Sequence, residues 1–167
     1  QMCIRDSLYN VPGRTGCSIP VSVVETLSRH PQICGIKEAS GDMSYAMKIA
    51  HCVGPDFALY SGNDDITLPL MSIGGSGVIS VFANVMPGMC RQIVADYAGG
   101  NQARALENHL KYLKLMNGLF MEVNPIPVKS AMNMMGLNAG PMRLPLCEMS
   151  GEHQAALRAM LEEAGLL

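Results

Sequence analysis

The stretch "ICGIKEAS", residues 33–40, ends an apolar run of strand-forming residues with a lysine. Alternate residues of a strand share a face. Lys37 therefore falls on the side of Gly35 and Ile33, and Glu38 points the other way. Glu38 is then not a same-face ion-pair partner, and Gly35 leaves space beside the lysine. Burial at a strand end disfavours the ammonium and leaves free amine, the form that attacks a carbonyl carbon. The competing reading is a lysine whose head reaches solvent at the strand terminus. Lys48, Lys111 and Lys114 have the spacing of solvated helix faces, and Lys129 stands at a helix entry, so they compete poorly.

Two residues near an earlier strand add to this. Tyr9 brings a phenol able to shuttle a proton. Arg14, in a loop bounded by Gly13 and Gly16, has a planar fork suited to a carboxylate. Taken singly, each is more often structural, a buried tyrosine with one hydrogen bond or an exposed arginine. With Lys37 they fall at the C-terminal ends of two strands, where α/β folds place chemistry. Gly62, in "SGND" (61–64), ends a third strand and permits close approach of a substrate. "GGSG" (74–77) precedes its strand and no Lys-Ser/Thr pair follows, so helix termination is preferred to a phosphate loop. His30, His51, His109 and His153 fall on separate helical stretches, and no metal cluster is expected.

The elements that must hold these residues are readable in outline. "SLYNVP" is a short strand. Ser18-Ile19-Pro20 reads as an N-cap and first turn, with Val23, Val24 and Leu27 on one face and Pro31 as the stop. "QICGIKEA" is the second strand. Asp42 or Ser44 caps a helix with Met43, Met47, Ala50 and Val53 on one side. "DFALYSG" is the third strand, Asn63-Asp64-Asp65 starts a helix closed by Gly74 and Gly75, and "GVISVFA" is the fourth strand, followed by a helix near 86–98. Four β-then-α units read as parallel α/β. They suit a small open sheet or half of an eight-stranded barrel, and periodicity does not choose. After Gly99-Gly100 the pattern is helical at 101–121, 125–136 and 150–165, with Ser150 a plausible N-cap.

Composition narrows the class. The 167 residues are 49% hydrophobic, enough to bury a sizeable core. The net charge of -2 comes from mixed signs without runs, which argues against nucleic acid and anionic membrane as partners. No apolar stretch approaches the ~20 residues of a membrane span. The six cysteines are scattered without CxxC, the pattern of reduced cytosolic thiols. The fourteen methionines read as adaptable core packing. "QMCIRDS" has no secretory pattern and reads as a foreign or assembly-derived segment, with the natural start missing.

"YNVPGRTG" (9–16), "GIKEASGD" (35–42), "LYSGND" (59–64), "GGSGVISV" (74–81) and "NPIPVK" (124–129) together resemble the dihydrodipicolinate synthase family, in order and at compatible spacing over residues 8–167. The resemblance implies the second half of a (β/α)8 TIM barrel at 8–100, a C-terminal helical domain at 101–167, and a non-matching segment at 1–7. It implies a cytoplasmic homotetramer that condenses pyruvate with L-aspartate 4-semialdehyde in lysine and diaminopimelate biosynthesis, with no cofactor. By motif match, Lys37 is the Schiff-base lysine, Tyr9 the proton relay and Arg14 a holder of the semialdehyde carboxylate. Gly62 and Ile79 line the pyruvate pocket. The family's first four βα units have no counterpart here. They carry a threonine pair that binds the pyruvate carboxylate, so this chain is expected to be inactive alone. The rival readings are a sister lyase acting on a sugar acid, such as N-acetylneuraminate lyase or a keto-deoxy-sugar-acid aldolase, and a non-catalytic fragment.

Overall fold

A computed structural model describes residues 5–167. Four strands, β1 (Asp6–Asn10), β2 (Ile33–Glu38), β3 (Ala58–Ser61) and β4 (Gly77–Val78), form one parallel sheet in the order β1-β2-β3-β4. Helices α1 (Pro12–Thr15), α2 (Val21–Leu27), α3 (Met43–Ile49) and α4 (Thr67–Ser72) alternate with them. Helices α5 (Pro87–Ala98), α6 (Gln102–Gly118), α7 (Ile126–Met134) and α8 (Gly151–Glu163) follow. Of the segment expected not to match, residues 1–4 lie outside the described residues, and Asp6 and Ser7 belong to β1.

The chain divides into two compact units, residues 1–80 and 81–167. The sequence places a boundary after residue 100 because the βα pattern stops there. By packing, α5 goes with the helices that follow it, against α6.

In the first unit, Val24, Ile36, Ala46, Ile49, Phe57, Leu59 and Leu70 form a buried core on the helix-covered side of the sheet. Each such side chain contributes about 1.5–3 kcal/mol through burial. Three expectations about faces change here. Ile33 packs against this core rather than beside Lys37. The cause is a register irregularity: Asp6 pairs with Ile33 but Ser7 with Gly35, so Cys34 is an extra residue that resets the alternation. On α3 the buried residues are Ala46 and Ile49, whereas Met47 is 58% exposed. On α2, Val24 is buried and Val23 is exposed.

Caps and ends also differ from expectation in places. Asp42 caps α3, its carboxylate accepting from the Ser44 and Tyr45 N–H groups at 2.8 and 3.1 Å. Ser18 does not cap α2, which starts after Pro20. Asn63–Asp65 form a turn before α4, not its first turn. Asp64 is buried there and accepts from the Ser80 hydroxyl. β4 is two residues long, because β3, its partner, stops at Ser61.

In the second unit, Ile93, Ala105, Tyr112, Leu115, Leu119, Leu157 and Leu161 are among the buried residues. Phe82 packs near Tyr112 with ring centroids 5.9 Å apart. Ser150 caps α8 by accepting from His153 N–H. Asp96 is buried and receives Arg104 Nε at 2.8 Å.

Candidate active site

Register builds the site. Tyr9 of β1, Lys37 of β2, Tyr60 of β3 and Gly77 of β4 lie side by side across the sheet. Residues in register on parallel strands face the same way. The Lys37 amine accordingly sits over the Tyr9 ring, 4.4 Å from its centroid, in cation–π geometry. In this chain Lys37 is half-buried and Tyr9 is 51% exposed.

Two glycines shape the row. A Cβ on Gly62 would stand 2.4 Å from the Ala39 Cβ and 3.0 Å from the Lys37 Cε. The room beside the lysine is therefore made by Gly62. Gly35, expected to provide it, serves the sheet instead: a Cβ there would meet the Ala58 carbonyl oxygen at 2.5 Å. Ile79 follows β4, its N–H donating to the Ser61 carbonyl at 2.8 Å, and its side chain is 45% exposed. Arg14 lies on a helical turn, α1, rather than in an irregular loop. Gly16 closes that turn in the left-handed region at φ 73°, its N–H donating to the Pro12 carbonyl. Arg14 is exposed on the segment that leaves the C-terminal end of β1.

Behind the row, Asn10 and Glu38 are both buried, at 1% exposure, on the opposite face. The Asn10 amide donates to a Glu38 carboxylate oxygen at 2.7 Å. The other Glu38 oxygen accepts from Ser40 N–H at 2.6 Å. Asn10 Oδ1 accepts from Ile19 N–H at 3.0 Å, and the Ile19 carbonyl accepts from the Tyr45 hydroxyl at 2.7 Å. Burial, with the nearby Glu38 carboxylate as a second cause, pushes the Tyr45 hydroxyl up to about 12 and keeps it a donor.

The structure thus brings Tyr9, Lys37 and Gly62 together. Sequence reading missed Tyr60 and Asn10. Tyr60 stands within "LYSGND" and Asn10 within "YNVPGRTG", but only the register between strands shows that they flank or back the lysine. Lys129 is engaged elsewhere, its amine donating to the Pro141 carbonyl at 2.5 Å. Among the described residues, no group of three or more His, Cys, Asp or Glu is placed to hold a metal ion. Among the same residues, no helix is long and apolar enough to cross a membrane.

The chain is 47% identical over 160 residues to the 4-hydroxy-tetrahydrodipicolinate synthase of Clostridium perfringens strain SM101, covering 96% of this chain and 55% of that protein. It is 45% identical to the corresponding synthase of Thermoanaerobacter sp. strain X514, over 96% of this chain and 54% of that one. The chain therefore spans about half the length of the curated relatives it matches. Among solved structures, dihydrodipicolinate synthase from Thermotoga maritima superposes with a TM-score of 0.92 at 41% identity, over 96% of this chain and 56% of that one. The Acinetobacter baumannii enzyme, complexed with pyruvate, superposes at 0.91 and 37% identity, over 96% and 55%. A sequence model of the dihydrodipicolinate synthetase family matches residues 5–164, nearly the whole chain. The chain belongs to the dihydrodipicolinate synthetase family.

Proposed function

We propose that this chain is the lysine-bearing part of a 4-hydroxy-tetrahydrodipicolinate synthase, condensing pyruvate with L-aspartate 4-semialdehyde by way of an imine on Lys37. The observation that carries the reading is the Lys37 amine 4.4 Å over the Tyr9 ring, at the C-terminal end of a parallel sheet, beside the gap at Gly62. An active site at that end of the strands is the rule for barrel enzymes. The Acinetobacter baumannii relative, bound to pyruvate, supports the first substrate.

The chemistry follows from the residues. The Lys37 amine attacks the keto carbon of pyruvate, and loss of water leaves an imine. The imine draws electrons from the methyl group, which loses a proton to give an enamine. The enamine carbon attacks the aldehyde carbon of the second substrate, and the aldehyde oxygen takes up a proton as a hydroxyl. The amine of the semialdehyde then attacks the imine carbon, expels the Lys37 amine and closes the ring. Tyr9, beside the reacting nitrogen, moves protons between these steps. Arg14 binds the semialdehyde carboxylate, and Gly62 and Ile79 border the pyruvate. The imine is itself the electron sink, so no metal or organic cofactor is required.

The four strands form half of a (β/α)8 barrel, and the helices that follow them form a C-terminal helical domain. The remaining strands would pair with the edges at β1 and β4, and a threonine pair from that half would hold the pyruvate carboxylate. On this reading the chain is inactive alone, and the complete enzyme is a cytoplasmic homotetramer. The test is to co-produce the chain with the part of the Clostridium perfringens relative that the match leaves out. That pair should consume pyruvate only when L-aspartate 4-semialdehyde is supplied. Turnover with a sugar acid instead would assign it to a sister lyase, and none with any aldehyde would reject the reading.

A further inference from the structure

We propose that Asn10 and Glu38 are positioning residues that hold Tyr9 against Lys37 from the far side of the sheet. Each is the immediate neighbour in sequence of one member of the reactive pair, and each is buried at 1% exposure. Asn10 and Glu38 pair across β1 and β2 in the row next to Tyr9 and Lys37. Their 2.7 Å hydrogen bond joins the strands where backbone pairing is about to end. Past it the ladder continues through Ala39 N–H to the Asn10 carbonyl at 2.8 Å, Gly62 N–H to the Glu38 carbonyl at 2.7 Å and Ile79 N–H to the Ser61 carbonyl at 2.8 Å.

The donor and acceptor pattern is directional. Glu38 accepts at both oxygens, from Asn10 and from Ser40 N–H. Asn10 must present its amide to Glu38 and its oxygen to Ile19 N–H. A glutamine at position 38 would turn an amide on one of those donors. An aspartate at position 10 would face a second carboxylate. Made together, the two changes restore every bond. The new carboxylate at position 10 accepts from Ile19 N–H and from the new amide at position 38, and the oxygen of that amide accepts from Ser40 N–H. The use of the Tyr9–Lys37 contact in imine chemistry rests on the proposed function; the contact itself can be read without substrate.

The test uses the chain with 13C-labelled lysine. The Lys37 side-chain resonance, assigned by Lys37→Arg, should be displaced upfield by the Tyr9 ring and should return to the ordinary lysine position in Tyr9→Leu. Asn10→Asp and Glu38→Gln should each lose the displacement, and the double variant Asn10→Asp/Glu38→Gln should regain it. Single variants that stay folded by circular dichroism and keep the displaced resonance would overturn the proposal. If the singles do not fold, the double variant decides. A folded double with the resonance displaced supports the proposal. A double that is unfolded, or folded with an undisplaced resonance, overturns it. Imine trapping of the completed wild-type enzyme is measured separately, so a failure of the proposed function shows there and leaves the resonance test intact.

Discussion

The two faces of the β1–β2 pair make an instructive contrast. On one face Tyr9 and Lys37 meet in the open, Tyr9 half exposed and Lys37 with room beside it. On the other, one residue along each strand, Asn10 and Glu38 are sealed and hydrogen-bonded at each polar end. A single register serves both. The closed face resists change because a buried donor without a partner is costly. The face of Tyr9 and Lys37 is the one that, on the proposed function, the rest of the barrel would enclose.

The sharpest way to break this contrast is to truncate adjacent residues of β2. Lys37→Ala should end imine formation completely while shifting stability by about 1 kcal/mol or less. Glu38→Ala should leave the Asn10 amide and Ser40 N–H unsatisfied, at about 1–3 kcal/mol each, or roughly 2–6 kcal/mol in total. Urea unfolding of the two variants checks this. Equal losses of stability would mean that the faces are not divided in this way.

The proposed role of Arg14 in holding the second substrate is open to a direct test. Arg14→Ala should weaken the completed enzyme for the semialdehyde by about ten- to a hundred-fold, the worth of a charge-assisted pair at about 1.5–3 kcal/mol. Pyruvate should be much less affected. Steady-state kinetics with each substrate varied in turn measures it, and equal losses would make Arg14 structural.

Gly62 tests how much room the lysine needs. Gly62→Ala places a methyl 2.4 Å from Ala39 and 3.0 Å from the Lys37 stem. The overpacking should cost about 1–3 kcal/mol. Because the nearer neighbours include the lysine itself, the rate of borohydride trapping should fall along with stability.

The smallest effects concern pH and separate the two units. The Tyr45 hydroxyl, raised to about 12, keeps its proton in the folded state. Its contribution is intact below about pH 10, the ordinary tyrosine value, and is lost as pH rises towards 12. In the second unit, the Arg104 guanidinium holds the Asp96 carboxyl below the usual range, and His153 does the same for Glu122. Those contributions are intact above the ordinary carboxylate range and are lost as pH falls through the lowered values. Thermal unfolding against pH should show Tyr45→Phe removing part of the alkaline fall only, and Asp96→Asn part of the acid fall only.

Much of this was legible in the residues. The strands around Tyr9 and Lys37, the Asp42 and Ser150 caps and the run of late helices follow from alternation and capping chemistry. The family follows from motifs that the comparisons match over residues 5–164. What escaped depends on pairing between strands. The extra residue Cys34 moved Ile33 to the other face, and no single-strand pattern reveals a bulge. The length of β4 was set by β3, not by its own apolar run. Tyr60 and Asn10 gained meaning only once register placed them beside or behind Lys37. On α3, a long methionine looked like core, while the smaller Ala46 was the residue buried.

The most direct test of the central claim is to trap the imine. The chain, completed with the missing part of the Clostridium perfringens relative, is treated with pyruvate and borohydride, digested and mapped by mass spectrometry. A reduced pyruvate adduct is expected on Lys37, absent from Lys37→Arg because a guanidinium stays protonated. An adduct on Lys129, or none on any lysine, would contradict it.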